Sequence, residues 1–358
     1  MNFDLSEEQE MFRSTVERFC APIDVEARRK LRKADGGYDR ARWQELAELG
    51  LIALAAGEDA GGMAGSPIDL ALVGEALGKA NAPEPWLENG VLPARILETS
   101  GRVDALAEVL AGDTIVGLAW AERQQRYSTT PKQTKLEGGK LSGEKTFVLG
   151  AGIADSLIVT ASEGGETVFL LLEKSRDGVD LRTYRLADGS VSGEVRFNAV
   201  AIDESDRLSL GAKAFAQIVA YTNLLAAAEL AGLGQRLLDD TLTYVKEREQ
   251  FGVPIGSFQA IQHRLVECYA RIEQVRSMLY RAALSDRDDA ENWQRAAAGA
   301  KAFIAEQVDM VAREAVQMHG GMGVTDELAI GHAMKRAMVL SRLFGDTATA
   351  LTHYSEAA

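Results

Sequence analysis

The sequence predicts a mainly α-helical protein with a small β domain in the middle of the chain. Apolar residues recur with helical spacing before about residue 113 and again from residue 213 to the end, where the segments are rich in Ala and Leu. Short apolar runs separated by glycine turns lie between these regions, and such runs are typical of strands. We therefore predict an N-terminal helical domain (1–113), a middle β domain (114–208) and a C-terminal four-helix bundle (209–358).

The N-terminal domain begins with a recognisable helix start. Ser6 and Gln9 have the spacing of a capping box, in which each side chain bonds the backbone N–H of the other residue. Val16 and Phe19 belong to the apolar stripe that follows. The basic run at 28–33 is interpreted as a solvated helix face.

The elements of the β domain and the bundle follow from the same two periods. Gly138 and Gly139 join two short runs and predict a hairpin over 135–141. Together with the other strand candidates, this hairpin predicts a small antiparallel sheet or barrel. Those strands are expected at 115–120, 157–160, 168–172 and 194–197. The bundle helices are expected at about 213–249, 258–285, 291–319 and 326–354.

The composition limits the classes of partner. The formal net charge of −14 argues against nucleic acid, whose binding needs a basic face. Cys20 and Cys268 lie on apolar helical faces without metal-binding spacing, so we expect buried thiols and no metal site. No signal peptide is visible, and the longest apolar stretch, 51–56, is too short to span a bilayer. A soluble cytoplasmic protein is therefore expected.

The stretch 244–259 contains the first candidate site. Two glycines and a proline interrupt the helical period there, so one helix is expected to end and the next to begin across a tight loop. Such a loop can hold out Arg248 for a phosphate and Phe251 for a flat ring, because the planar guanidinium makes paired, charge-assisted bonds. Alternatively, Arg248 is a surface arginine on a helical hairpin.

A second motif, Gln317-x-x-Gly320-Gly321, lies near the end of the chain. The order of helical domain, β domain and bundle, with Arg248-x-Gln-Phe-Gly252 between the first two bundle helices and this glycine pair between the last two, resembles the acyl-CoA dehydrogenase family. The resemblance covers essentially the whole chain. It implies that family's fold, with helical domains on either side of a middle β-barrel.

Three segments resemble more closely a branch that contains small subunits of pimeloyl-CoA dehydrogenase, namely 121–127, 246–259 and 344–346. The resemblance implies FAD as cofactor and α,β-dehydrogenation of an acyl-CoA thioester, in which a carboxylate takes the α-proton and flavin accepts the β-hydride. It also implies a homo-oligomer, or a heterotetramer with another acyl-CoA dehydrogenase subunit. Electron transfer to an electron-transfer flavoprotein is expected by analogy.

The resemblance assigns cofactor contacts by position. Arg248 is expected to bind the FAD pyrophosphate of a neighbouring subunit, Phe251 to pack beside the adenine, and Gln259 to bond the adenosine part. The glycine pair is expected to allow close backbone approach, because it has no Cβ to clash, although a helix C-cap turn would use the same residues. The residues expected at the diphosphate are Gln317, Gly320 and Gly321.

The β domain carries a weaker match. Phe147, Val148 and Leu149 correspond to the strand that runs beside the isoalloxazine ring. Leu149 stands where a hydroxyl residue is common, so backbone contacts to the flavin are expected and the hydroxyl contact is not. Of the family's Thr-Glu-Pro pattern only Glu122 is kept. The family arginine that meets the CoA phosphate falls near Asn223.

The catalytic base is the main departure from the family. The commonest catalytic Glu precedes a Gly-Thr pair, and counting back from Thr347 places that position at Gly345. The next residue, Asp346, is the candidate base, or it caps the following helix. Thr347 is expected at the cofactor. The alternative base position falls near Thr222, which is no base, and Glu229 is either a base or a satisfied structural carboxylate.

Two hypotheses follow. In the first, the chain is an FAD-dependent acyl-CoA dehydrogenase with Asp346 as its base. In the second, it is the non-catalytic partner of a heterotetrameric dehydrogenase and lends Arg248 and Phe251 to a flavin held mainly by another chain. A flavin monooxygenase on the same fold has no residue in its favour.

Overall fold

The structure is a computed structural model and describes residues 5–20, 25–31, 33–34, 37–286 and 289–356. The chain divides into two compact units. The first unit contains residues 1–30, 67–82 and 223–358, and the second contains residues 31–66 and 83–222. Helices dominate both ends of the chain and a sheet occupies its middle, which confirms the predicted fold class. The boundaries of the three predicted domains stay a prediction.

Helices form the regions on either side of the sheet. In chain order they are α1 (Glu7–Phe19), α2 (Val25–Leu31), α3 (Arg40–Glu48), α4 (Pro67–Ala80), α5 (Leu92–Thr99), α6 (Val103–Leu110), α7 (Ala212–Glu247), α8 (Gln259–Ala283), α9 (Ala290–His319), α10 (Ala329–Leu340) and α11 (Thr347–Glu356). The capping box is confirmed. The Ser6 hydroxyl accepts from the Gln9 N–H at 3.1 Å, and the Gln9 side chain accepts from the Ser6 N–H at 3.1 Å.

The last bundle helix differs from its prediction. Helices α7, α8 and α9 lie where the sequence predicts them, but the single helix expected at 326–354 is wrong. The chain leaves helical geometry between α10 and α11, where Phe344 has a φ of 52° and Gly345 a φ of 145°. A helix needs φ near −60°, so these two residues end one helix and redirect the chain into the next.

Helices α4 and α7 cross with almost no side chain between them. A Cβ atom on Gly78 would lie 2.0 Å from the carbonyl oxygen of Glu229, and one on Gly232 would lie 2.0 Å from the carbonyl oxygen of Glu75. Only glycine permits this approach. The crossing therefore fixes the positions of Glu75 and Glu229 within the first unit.

The burial of three other side chains in the first unit can be compared with the sequence predictions. Cys20 and Cys268 are buried free thiols, as predicted. Arg28 contradicts the prediction of a wholly solvated basic face, because it is buried and its guanidinium donates to the Asn81 carbonyl oxygen. A buried arginine needs such an acceptor, and periodicity alone does not reveal which member of a basic run will find one.

The sheet lies in the second unit. Its strands are β1 (Val116–Ala119), β2 (Lys135–Glu137), β3 (Lys140–Leu149), β4 (Ser156–Glu163), β5 (Glu166–Glu173), β6 (Val179–Arg185), β7 (Val191–Ala201) and β8 (Arg207–Leu208). They pair in the order β6-β7-β3-β2-β4-β5-β8, and β1 pairs with β4. The hairpin of β2 and β3 is confirmed, with Glu137 opposite Lys140.

The sheet is mixed, so the expectation of purely antiparallel pairing is wrong. Strand β1 runs parallel to β4, with Val116 opposite Ser156, and β2 meets β4 in parallel at Lys135 and Ser162. A parallel pair needs a long connection, and residues 120–155 supply it. Strand β6 is missing from the prediction because its side chains are mostly polar and none of them is buried.

Helix α7 is long and apolar enough to cross a bilayer when only length and composition are considered. However, 78% of its most apolar window is buried inside the protein. This burial is what a core helix requires, so the test is weak evidence for a membrane span.

Candidate functional site

The connection between α7 and α8 forms a small exposed hairpin. Strands β9 (Glu249–Gln250) and β10 (Val253–Pro254) pair antiparallel, with Phe251 and Gly252 at the turn. Both turn residues have positive φ, 54° and 79°, as in the turns that match the twist of a hairpin. Positive φ is rare for a bulky residue, and here it leaves the Phe251 ring 95% exposed.

Arg248 is fixed through its backbone while its side chain stays available. Its N–H donates to the Tyr244 carbonyl oxygen at 2.8 Å, and its carbonyl oxygen accepts from the Ile255 N–H at 2.8 Å. Within the described ranges its guanidinium has no ion-pair partner, and the residue is exposed. Gln259, the first residue of α8, is also exposed. A phosphate bound here would therefore meet the exposed guanidinium of Arg248, and Gln259 would be accessible to the same ligand.

The second motif lies beside the first. The Tyr244 ring stacks on His319 with centroids 4.1 Å apart and an angle of 24°, so the end of α7 and the end of α9 meet. Gly320 follows with φ 61° and ψ −144°, a conformation that only glycine adopts without strain. A Cβ on Gly320 or Gly321 would meet nothing within 4 Å, and Gln317 is exposed. The glycine pair thus leaves exposed backbone near the end of α7, which Arg248 directly follows.

The matched strand residues lie on β3 in the second unit. The pairing of β3 with β7 shifts register between Lys145 and Val148, which marks a bulge. Phe147 occupies this bulge with φ 56° and is 37% exposed, whereas Val148 is fully buried. Leu149 is intermediate in exposure. The Phe147 side chain at this bulge is therefore partly exposed, whereas its neighbour Val148 points into the core.

Glu122 is a buried carboxylate that anchors the start of the connection before β2. It accepts the backbone N–H groups of Lys132, Gln133 and Thr134 at 2.8, 2.8 and 2.9 Å, and Lys145 Nζ lies 3.0 Å away. Burial raises the pKa of Glu122, but these hydrogen bonds and the Lys145 charge together lower it to about 2. Glu122 is therefore ionised at neutral pH and holds the segment in place.

Lys145 completes this network from β3. Its ammonium also donates to the Trp120 carbonyl oxygen at 3.1 Å and to the Thr160 hydroxyl at 2.9 Å. Burial lowers the pKa of Lys145 to about 8 despite the neighbouring Glu122. The pair thus connects β3, two residues before Phe147, to the segment that follows β1. Glu122 was visible in the sequence, but its partner could be found only from the fold.

Asp346 lies at the turn that replaces the middle of the predicted last helix. Its carboxylate accepts from the backbone N–H and the hydroxyl of Thr349, both at 2.9 Å, so it caps α11. Gly345 precedes it and Thr347 begins α11. Buried Lys301 of α9 donates to the Leu343 carbonyl oxygen at 3.1 Å just before this turn.

The other positions considered for a base carry a hydroxyl group and a paired carboxylate. The Thr222 hydroxyl donates back to the Ile218 carbonyl oxygen at 2.9 Å within α7. Glu229 is buried and paired with Arg336 in the first unit. Within the described ranges, no three His, Cys, Asp or Glu side chains group as metal ligands.

The backbone marks three of these positions independently. Phe147, Phe251 and Phe344 all have φ between 52° and 56°. Bulky residues pay a conformational cost there, and such strain concentrates at functional sites. One phenylalanine lies on the matched flavin strand, one at the tip of the Arg248 hairpin and one beside Gly345. Sequence patterns gave no sign of this feature.

These residues fit FAD chemically. Arg248 offers an exposed guanidinium for a pyrophosphate, Phe251 offers an exposed ring for stacking, and Gly320 and Gly321 offer backbone without Cβ atoms. All four belong to the first unit.

Two family models and a curated relative match this chain. The model of the acyl-CoA dehydrogenase C-terminal domain matches residues 211–358, and that of the N-terminal domain matches residues 6–110. The probable acyl-CoA dehydrogenase YngJ of Bacillus subtilis is 30% identical over an alignment of 363 positions, gaps included, that covers 95% of each chain.

Two solved structures share the fold over nearly the full length. A structure of the ChsE4-ChsE5 complex from Mycobacterium tuberculosis has a TM-score of 0.87 and 26% identity, and covers 99% of this chain and 98% of that one. A structure of PigA with FAD and proline has a TM-score of 0.88 and 25% identity, with coverage of 99% and 98%.

Proposed function

This chain belongs to the acyl-CoA dehydrogenase family and is an FAD-dependent oxidoreductase acting on acyl-CoA, and from this premise we propose that it works in a heteromeric enzyme whose catalytic base another chain carries. In this assembly the chain binds FAD and helps to hold the acyl-CoA thioester. The reaction of the assembly is α,β-dehydrogenation. The resemblance to pimeloyl-CoA dehydrogenase small subunits stays a prediction.

The observation that carries this proposal is the engagement of Asp346. Its carboxylate accepts two hydrogen bonds from Thr349 as the cap of α11, and the family's Glu position is Gly345. Both bonds go to Oδ1 and fix the orientation of the carboxylate, whereas a base must lie within reach of the α-proton. A carboxylate one place along, one methylene shorter and turned into a helix cap is poorly placed for that task.

The chain's own residues are suited to binding and orienting. Bound FAD supplies the acceptor for the hydride that leaves the β-carbon. Arg248 would hold the pyrophosphate through paired donors, and Phe251 would cover the adenine from the tip of its hairpin. Both side chains extend outward from the first unit, which favours a cofactor shared with a neighbouring subunit. The ChsE4-ChsE5 complex lends further support, because a chain of the same fold occurs there in a complex of two proteins.

An absorption spectrum of the chain purified alone and co-purified with a second acyl-CoA dehydrogenase chain tests the proposal. Both samples are treated anaerobically with a panel of acyl-CoA thioesters. We expect the flavin band to bleach only in the mixed assembly. Bleaching of equal rate and extent in the chain alone would contradict the proposal.

A second candidate function is a self-sufficient dehydrogenase with Asp346 as base. It is favoured by the position of Asp346, which is a carboxylate adjacent to the family's Glu position and only partly buried. Asp346→Asn keeps a cap acceptor and removes the base, whereas Thr349→Val weakens the cap and keeps the base. Loss of turnover in the first variant alone, at unchanged flavin content, would identify this candidate.

The electron acceptor and the cellular location are inferred by family analogy. We infer an electron-transfer flavoprotein as the acceptor of the electrons and a cytoplasmic location. Reduction of an added electron-transfer flavoprotein by the acyl-CoA-reduced assembly is the measurement that checks the first inference. A substrate-reduced assembly that reoxidises only with artificial dyes would contradict it.

A further inference from the structure

The first unit contains a cavity that the cofactor and base positions do not use. It has a volume of about 510 Å³ and lies among α1, α4, α7 and α8. The part of α7 that lines it is centred on Gly232 and Gln235, 13 residues before Arg248. At a rise of about 1.5 Å per residue, this places the cavity roughly 20 Å along the helix from Arg248. The volume is in the range of small-molecule sites, which is about 300–1,000 Å³.

Two helices of the cavity wall each present charges of both signs, and α1 also presents Glu10, which pairs with Arg13. On α1, Arg13 and Glu17 are four residues apart, and on α4, Glu75 and Lys79 are four residues apart. Residues at this spacing lie on the same helix face. The wall therefore carries positive and negative groups within a few ångströms along each helix, which a ligand with both charges would match.

Several of these polar groups have unused bonding capacity. In the described part of the chain, the Lys79 ammonium and the Glu17 carboxylate have no ion-pair partner. Arg13 pairs with Glu10 through Nη2 at 2.6 Å, but its Nε is buried without an acceptor. Lys79 and Glu17 are exposed to solvent, whereas a buried donor such as Arg13 Nε is costly unless water or a ligand bonds it.

Glu75 is the inner polar group of the wall. The Tyr280 hydroxyl donates to its Oε2 at 3.2 Å. Burial raises the pKa of Glu75 to about 7, and the Glu17 charge adds to this effect, while Tyr280, Arg276 and Arg13 oppose it. A carboxyl group in this state takes up a cation readily, because a neighbouring positive charge favours its ionised form.

We propose that this cavity binds a small dipolar molecule, with an ammonium group beside Glu75 and Glu17 and a carboxylate beside Lys79. Apolar side chains on α4 and α8, namely Leu72, Ile272 and Val275, face the same cavity and would contact the methylene groups between the two charges. The ligand class is therefore a short amino acid with a flexible aliphatic body. The lining residues of this site are separate from the proposed FAD contacts.

Isothermal titration of the FAD-containing wild-type protein tests the proposal. The probes are glycine, 4-aminobutanoate and 6-aminohexanoate, and the single-charge controls are butylamine and butanoate. At least one amino acid should bind saturably, and each single-charge control should bind about tenfold or more weakly, since it leaves one charged partner unpaired.

Proton exchange gives a second readout that a surface contact would not produce. The groups that face Glu75 are Arg13 and Glu17 from α1 and Arg276 and Tyr280 from α8. A bound ammonium favours ionised Glu75, so binding at pH 7 should release protons. Titrations in buffers of different ionisation enthalpy measure this release.

A matched pair of variants assigns the site to the cavity. Glu75→Gln keeps the shape and removes the charge, so binding should weaken about tenfold and proton release should disappear. Glu267→Gln changes an exposed residue of α8 outside the cavity and should alter neither. Flavin content of both variants reports that they are folded. If Glu75→Gln does not fold, proton release on binding to the wild type and the affinities of the single-charge controls still test the proposal.

Three outcomes would overturn the proposal. The first is the absence of saturable binding by all three amino acids up to millimolar concentration. The second is butanoate or butylamine binding as tightly as the amino acids, which would indicate a site for a single charge. The third is unchanged affinity in a folded Glu75→Gln variant.

Discussion

Arg336 donates to both carboxylate oxygens of Glu229 inside the first unit, with Nε to Oε1 at 2.7 Å and Nη2 to Oε2 at 3.1 Å. Both residues are buried, and Glu229 lies where α7 crosses α4. We predict a structural role for this paired carboxylate, which is the only acid in the Ala- and Leu-rich segment 224–238 of α7. Burial of both charges is tolerated because each satisfies the other.

Removal of one partner of this pair should destabilise the protein strongly. Glu229→Gln removes the buried negative charge that Arg336 Nε and Nη2 bond, so the free energy of unfolding should fall by about 3 kcal/mol. Urea denaturation measures the change. Asp309→Asn breaks an exposed ion pair with Arg313 and should leave the unfolding free energy nearly unchanged. A similar small change in both variants would refute the structural role of Glu229.

Arg248 should be required to retain the cofactor. Arg248→Ala removes the paired donors for the FAD pyrophosphate, and FAD should bind about 10- to 100-fold more weakly. Flavin content after gel filtration and the FAD dissociation constant are the measurements. Lys246→Ala removes an exposed cation two residues earlier and should retain flavin. Flavin retention equal to wild type in Arg248→Ala would remove this arginine from the site.

Lys301 should make stability depend on alkaline pH. Burial lowers its pKa from 10.5 to about 7, so between these values the unfolded chain binds a proton that the folded protein does not. This contribution to stability therefore increases as pH rises from 7 to 10.5. Lys301→Met should be more stable than wild type below pH 7, by on the order of 2 kcal/mol, and should lack the increase.

The difference in urea midpoint between wild type and Lys301→Met, measured at several pH values, checks this prediction. Lys213→Met changes an exposed lysine and should follow the wild-type curve. Parallel curves for wild type and Lys301→Met would mean that Lys301 keeps its ordinary pKa in the folded protein.

Glu122 should contribute to stability in the opposite pH range. Burial raises its pKa, but three backbone N–H groups and Lys145 outweigh burial and lower it to about 2. The contribution is complete above pH 4.5 and is lost as pH falls toward 2. Glu122→Gln should lose roughly 3 kcal/mol at pH 7, since Lys145 remains buried, and should depend less on pH below 4.5.

Acid titration of the unfolding free energy compares Glu122→Gln with wild type and with Glu166→Gln, an exposed change in the same sheet. The control should follow wild type. If Glu122→Gln shows the full wild-type loss of stability between pH 4.5 and 2, the acid sensitivity belongs to other carboxylates.

Much of the helical architecture could be predicted because periodicity is a local property. The capping box at Ser6, the β2–β3 hairpin and α7 to α9 all depend on neighbouring residues in the chain. The break between α10 and α11 could not be predicted, because Phe344 and Gly345 take their unusual φ values from the packed turn. Strand β6 was missed because its polar residues pair at an edge of the sheet and lack an apolar signal.

The candidate site divides in the same way. Motif spacing identified Arg248, Phe251 and the glycine pair, and the stack of Tyr244 on His319 then joined the two motifs in space. The cap at Asp346 was one of two roles left open by the sequence. Whether it is also a base stays a prediction, with the Asn variant as its test.

The sequence by itself determined the fold class, the family resemblance and the positions that differ from the family, because periods and motifs are written in residue order. The tertiary structure alone decided which charges meet. Glu229 pairs with Arg336, which is 107 positions away in the chain, and Glu122 pairs with Lys145. Glu75 lines a cavity and accepts a hydrogen bond from Tyr280. Electrostatic partners depend on distance in space and on exclusion of water, and neither is encoded in local sequence.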